Sequence, residues 1–204
     1  MTSQGSSEKR VQIIRAAQRR FAHYGLSKVT MDEIAADLGM GKASLYYYFP
    51  TKENLFRAVL ISEQDQFVAR VKVILEQSGD SSERLQGYVR LRFQLFRDLT
   101  NLNMLSYLSM TEMRPVFGDL FADFGNRELK LLQHIIREGK RSGEFGMGSP
   151  DRYARLFLHM LQGLRLRTIR ESHDRLSDEH YADLEQELML CTAVFLRGIR
   201  KSGL

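Results

Sequence analysis

The chain has 204 residues, 43% hydrophobic and 27% charged, with three prolines, one cysteine and a formal charge of +5. That length can bury one large core, or a small domain joined to a larger one. The lone Cys191 excludes an intrachain disulfide framework and points to the reducing cytoplasm; no 18-residue apolar run or leader-like start argues for a membrane span or export.

Few prolines and no bounded apolar/polar alternation predict an all-α chain without a sheet. The basic excess is uneven. Residues 1–57 hold nine Lys/Arg against five Asp/Glu, and residues 58–204 hold 21 against 20. A polyanion partner near the N-terminal part would require such a bias, although a solvated basic face gives the same count.

In chain order, the small polar residues 1–7 read as a disordered arm. A helix from Glu8 to Tyr24 follows, with Ile13, Ile14, Ala17 and Phe21 on one side and Gly25 as its stop. Next comes TMDEIAADLGMGKASLYYYF, residues 30–49. Thr30 with Glu33 three residues on is a capping box, and Met31, Ile34, Ala35 and Leu38 then draw one apolar stripe. Gly39 suits a left-handed C-terminal cap, and Gly41 is an acceptable N-cap for a second short helix. In that helix only Leu45 and Phe49 look inward. Lys42, Ala43, Ser44 and three consecutive tyrosines are left without core duty, which predicts a helix-turn-helix whose second helix enters the DNA major groove.

Pro50 ends that helix and Thr51 caps the next, from Lys52 to about Gln77, carrying Leu55, Phe56, Val59, Leu60 and Phe67. A loop over 78–82 precedes helices over 83–99, 101–113 and 115–141. The segment 143–150 is the most turn-rich, and helices over 151–172 and 177–202 close the chain. The last is apolar on two stripes, Leu184, Leu188, Cys191 and Phe195 on one and Leu190, Val194 and Ile199 on the other, as expected for a helix wedged in a core or shared with a second chain.

The stretch VTMDEIAADLGMGKASLYYYFPTKENLF, residues 29–56, closely resembles the N-terminal DNA-binding domain of the TetR (tetracycline-repressor-like) family of bacterial transcription regulators. Its most specific parts are Leu45 through Lys52 to Leu55, and Thr30 with Ile34 and Ala35. The resemblance implies a three-helix DNA-binding domain over 8–57 and a bundle of about six helices over 58–204 that binds an effector and dimerises. It implies a homodimer on a near-palindromic double-stranded DNA operator, acting as a repressor released by a small apolar or aromatic effector, with an activator or a helical protein-binding adaptor as the alternative. Met40 and Gly41 depart from the family pattern, where a smaller aliphatic residue and a serine-like cap are common.

Expected roles follow by position. Lys42, at the start of the recognition helix, can donate to guanine O6 and N7 or to a phosphate; Ala43 can meet a thymine methyl and Ser44 a base edge or phosphate, with helix filler the alternative for both. Tyr47 lies in the family's base-reading position. Thr30, Tyr46, Tyr48 and Lys52 match phosphate-gripping positions, with Lys28, and Arg19 or Arg20, as further backbone candidates. Packing within the head is the other reading for Tyr46 and Tyr48.

In the body, Phe93, Phe96, Met104, Tyr107, Met110, Met113, Phe117, Phe121, Phe124 and Phe157 are candidate walls of an effector pocket, with His134 or His159 orienting a polar group; plain core is the alternative for each. For the dimer interface the last two helices offer Tyr153, Phe157, Leu161, Leu164, Leu184, Leu188, Cys191 and Phe195. No metal site, cofactor or enzyme is expected: no His pair has ligand spacing, and there is no G-x-S-x-G or H-E-x-x-H. GMGKAS, residues 39–44, lacks the first glycine of a phosphate loop and the Ser/Thr after its lysine.

Overall fold

A computed structural model of the chain describes residues 2–76, 79–98, 114–146, 148–171 and 176–201. Among these lie eight helices: α1 (Thr2–Tyr24), α2 (Met31–Asp37), α3 (Lys42–Tyr48), α4 (Lys52–Glu76), α5 (Ser81–Asp98), α6 (Arg114–Arg141), α7 (Pro150–Glu171) and α8 (Asp178–Ile199). The all-α expectation is met; among the described residues the only β pairing is an isolated bridge between Phe145 and Arg200. The helix expected over 101–113 lies outside the described residues. No described helix is long and apolar enough to cross a membrane.

Two compact units divide within α4, between Gln66 and Phe67; the first also takes in the start of α6 through Gly118. In the first unit Ile13, Ala17, Phe21, Ile34, Leu45, Phe49, Leu55 and Phe56 are buried together. Phe21 meets Phe56 edge-on at 5.0 Å, and Phe56 meets Phe117 at 5.6 Å. Helix α1 begins at Thr2, earlier than the expected Glu8. Residues 2–7 contain no proline to stop the helix, so the register continues outward with Gly5, Ser6 and Ser7 exposed to solvent.

The second unit is organised around α5, α6, α7 and α8. Phe67 of α4 packs edge-on against Tyr88 of α5 and Phe124 of α6. Phe157 of α7 stacks on Phe195 of α8 with ring centroids 4.4 Å apart. Helix α5 starts at Ser81, inside the segment expected to be loop, because Asp80 and Glu83 form a reciprocal cap: the Glu83 N–H donates to Asp80 Oδ1 at 2.7 Å and the Asp80 N–H to Glu83 Oε2 at 3.2 Å. The Glu144 carboxylate adds a second cap from the turn-rich segment, accepting from the Ser81 and Ser82 N–H groups at 2.8 and 2.9 Å. Those bonds place an anion on α5's positive end. The same segment is pinned to the end of α8 by Gly146 N–H to Ile199 O, 2.8 Å, and Lys201 N–H to Glu144 O, 3.1 Å.

Candidate functional site

The expected capping box is present. The Glu33 N–H donates to Thr30 Oγ1 at 3.3 Å, and the Thr30 N–H donates to Glu33 Oε2 at 2.8 Å. Thr30 Oγ1 itself donates to the same Glu33 oxygen at 2.9 Å. These bonds hold the Glu33 carboxyl below its ordinary pKa, the Thr30 N–H first and the hydroxyl second. Helix α2 ends as the glycine suggested: Gly39 takes φ 59°, its N–H reaches Ala36 O, and the Met40 N–H reaches Ala35 O. That paired closure is a Schellman motif. Gly41 caps α3 with extended backbone and no side-chain bond, so α3 starts without a side-chain cap at its N-terminus.

Leu45 and Phe49 are fully buried, as expected, and anchor α3 from below. Two interactions tie α3 and α2 to α1. Arg10 donates to Tyr48 O at 3.3 Å with its guanidinium 4.4 Å from the Phe49 ring centroid. Arg20 grips Asp37 through two bonds of 2.5 and 2.7 Å and approaches Glu33 at 3.7 Å. The Arg20 guanidinium in turn holds Asp37 below its ordinary pKa. Arg20 is therefore committed to internal positioning, which favours Arg19, exposed to solvent, as the backbone candidate of the two.

On the outer face of α3, Lys42, Ala43, Ser44, Tyr46 and Tyr47 are all exposed, Tyr47 at 82%. Tyr48 is half-buried and meets Tyr47 edge-on at 5.4 Å. Lys42 Nζ bonds Asp32 Oδ2 at 2.8 Å, and both side chains are well exposed. The carboxylate raises the Lys42 pKa, first through the hydrogen bond. An exposed pair of this kind contributes little to stability and exchanges readily for another acceptor. Lys28 is exposed. Lys52 differs: its Nζ donates to Leu26 O at 2.8 Å and Val29 O at 3.0 Å. Two of its three N–H groups hold the loop before α2, leaving one for an outside acceptor.

In the second unit, Phe93 and Phe96 line a small cavity with Leu161, Leu184 and Leu188, and Arg92 and Arg165 share its wall. The remaining pocket candidates lie elsewhere or cannot be placed. Phe117 packs on Phe56 in the first unit, Phe157 is spent on Phe195, Phe124 on Phe67, and Phe121 is half-buried outside the lining. His134 and His159 are exposed, so neither orients a group inside this cavity. Met104, Tyr107, Met110 and Met113 lie outside the described residues. The interface expectation also needs correction. Phe157, Leu161, Leu184, Leu188 and Phe195 are buried within the protomer, because α7 and α8 turn these faces to each other and to α5. Tyr153 and Cys191 are half-buried, and Leu164 with them. The apolar side chains left outward are instead Leu156, Leu190 and Val194, of which Leu190 and Val194 line a groove with Met160, Gly163, Leu164 and Cys191. Among the described residues no group of three His, Cys, Asp or Glu could hold a metal.

Residues 13–59 match the family of bacterial regulatory proteins, tetR family. The chain is 31% identical over 195 residues to the HTH-type transcriptional regulator RutR of Escherichia coli O157:H7, covering 96% of this chain and 84% of that protein. It is 26% identical over 151 residues to the fatty acid metabolism regulator protein of Bacillus subtilis strain 168, covering 72% and 76%. The crystal structure of a transcriptional regulator from Cytophaga hutchinsonii superposes with a TM-score of 0.84 at 40% identity, covering 93% of this chain and 97% of that one. A capped helix-turn-helix with an exposed second helix, in a chain matched nearly end to end by such regulators, identifies it as a member of the TetR family of DNA-binding transcriptional regulators.

Proposed function

We propose that the protein is a dimeric repressor that reads a near-palindromic operator through α3 and is released by a small effector bound in its second unit. The observation that carries the reading is the split of α3: Leu45 and Phe49 hold it in the core, while Lys42, Ala43, Ser44 and Tyr47 stand on its open face. We assign base contacts to those four. Phosphate contacts fall to Tyr46, Tyr48 and Lys28, and to the spare N–H of Lys52 and the Thr30 hydroxyl, which must turn from Glu33 to serve. Residues 8–57 form the DNA-binding part and residues 58–204 the effector-binding and dimerising part. The outward apolar strip of α7 and α8 supports a homodimer, since a contiguous apolar surface of that kind marks an association site. The dimer then sets the distance between two recognition helices, which must match successive major grooves. DNA work of this kind belongs in the cytoplasm.

Release requires the effector to bind the DNA-free state more tightly; by linkage, operator DNA weakens effector binding by the same factor. Selection from random duplex DNA followed by gel shift tests the reading. Enrichment of an inverted repeat is the expected result. Absence of DNA binding at low salt overturns it, and enrichment of a single half-site overturns the dimer.

A further inference from the structure

Inside the second unit a charge is left over. Glu128 of α6 is buried and accepts from Tyr88 Oη at 2.8 Å and from Arg92 Nε at 2.6 Å, with Arg92 Nη2 at 3.4 Å from its other oxygen. Burial works against the Arg92 charge, and the Glu128 carboxylate more than reverses it, so the guanidinium pKa sits above its ordinary value. One carboxylate thus answers one guanidinium. Arg165 of α7 stands beside them: among the described residues it makes no hydrogen bond or ion pair, its Nε is buried without a partner, and its guanidinium carbon lies 5.5 Å from the centroid of the Phe96 ring. The residue as a whole is half-buried, so its sealed part faces inward. Burial, and then the nearby Arg92 charge, pull its pKa down to about 10, which leaves it cationic at neutral pH.

Arg165 and Arg92 share the wall of the cavity with Phe93, Phe96, Leu161 and Leu188. A buried donor without a partner is costly until an acceptor arrives, and Arg165 Nε is such a donor. A guanidinium in an apolar wall recognises a planar anion, bonding it through two N–H groups at once. The cavity is narrow, with room for roughly one water molecule, so a ligand's apolar body must displace the flanking rings and is kept small.

We propose that Arg165 is an anion receptor and that the effector is a small apolar carboxylate, its charged head on the Arg165 guanidinium and its short chain or single ring against Phe93 and Phe96. This rests on the reading that the second unit binds an effector, and it adds a charge sign, a size and a receptor residue.

Calorimetric titration of the full chain, in a low-chloride buffer, with hexanoate and benzoate tests it. Hexanol, benzyl alcohol and benzylamine serve as neutral and cationic counterparts, and acetate as the head without a body. The carboxylates are expected to bind at least about tenfold more tightly than the alcohols and than acetate, with no binding of the amine. Arg165→Gln is expected to erase the preference for carboxylate over alcohol while keeping the alcohol affinity, and Arg165→Lys to retain part of it. Melting curves of both variants check that they fold. Equal binding of alcohol or amine, acetate as good as hexanoate, an undiminished preference in a folded Arg165→Gln, or no binding of any carboxylate overturns the proposal. Fluorescence anisotropy on the selected operator separates the two readings: a carboxylate that binds through Arg165 without releasing DNA leaves the receptor standing and overturns the inducer role.

Discussion

Leu190→Glu is expected to turn the dimer into a monomer without harming the fold. Leu190 is 66% exposed and Val194, one turn on, 58% exposed, on the side of α8 away from the buried Leu184, Leu188 and Phe195. Full burial of such a side chain contributes about 1.5–3 kcal/mol, so covering what remains open on Leu190 contributes about 1–2 kcal/mol. A two-fold interface uses the same patch on both copies, which doubles the loss to about 2–4 kcal/mol before the cost of burying two carboxylates. That corresponds to a dimer dissociation constant raised about 30- to 1,000-fold. Sedimentation equilibrium across nanomolar to micromolar protein measures it directly against a protomer of 23.6 kDa. The melting temperature should hardly change, since an exposed substitution away from any cap or core typically shifts stability by within about 0.5 kcal/mol. Phe195→Ala, by contrast, should cost about 3–5 kcal/mol of folding stability because the stacked Phe157 loses its partner. A wild-type monomer at micromolar concentration, or a Leu190→Glu dimer as tight as wild type, would refute the assignment of this face.

Three further outcomes are expected. Lys42→Ala should relax base preference by roughly 1–3 kcal/mol, whereas Lys52→Ala should weaken all sequences alike, flatten the salt slope and lower the melting temperature through the lost bonds to Leu26 and Val29; isotherms on operator and scrambled DNA at several salt concentrations decide this, and equal losses on both DNAs for both variants sink the division. Glu33 and Asp37 have lowered folded pKa values, so the stability they contribute is complete above their unfolded values of 4.5 and 3.8 and is lost as pH falls through the folded ones. Melts followed by circular dichroism from pH 7 to 3 should fall in that acid window, and the Glu33→Gln, Asp37→Asn double variant should show a shallower fall; an identical profile contradicts the sign. Gly139→Ala should destabilise by about 1–3 kcal/mol, because a Cβ there would lie 2.3 Å from the Phe145 ring and 2.9 Å from Ser81 Cβ. The same change in a Phe145→Ala background should cost less, and a cycle with no coupling in denaturant melts rules out the steric cause.

The helix-turn-helix was legible because its determinants are local. Thr30 and Glu33 sit three apart, Gly39 follows its stripe by one, and Leu45 and Phe49 are one turn apart, so the sequence order is already the spatial order. The start of α5 carries the same spacing in Asp80 and Glu83, with Asp in place of Thr, set among serines that equally suit a loop. What could not be read joins distant positions: Arg20 to Asp37, Glu144 to the start of α5, and Arg92 to Glu128 are 17, 62 or 63, and 36 residues apart. No periodicity encodes such a partner, since any of several cations on the same helix face would fit the pattern equally well.

Helix α8 shows where periodicity stops being informative. Its two apolar stripes are of similar strength in sequence, and the expectation took Leu184, Leu188, Cys191 and Phe195 for the shared face. A stripe fixes an angle around the helix axis and says nothing about what lies at that angle. The neighbours decide: Phe157 and the cavity wall claim the first stripe, and they leave Leu190 and Val194 outside. The second stripe is itself divided, because Ile199 near its end is buried where the bridge from Phe145 closes over the helix terminus. An outward Leu and Val one turn apart are poorly accounted for by the protomer's own packing, whereas a second copy presenting the same pair would bury all four. The face proposed for the partner is therefore the one the protomer's own core leaves unused.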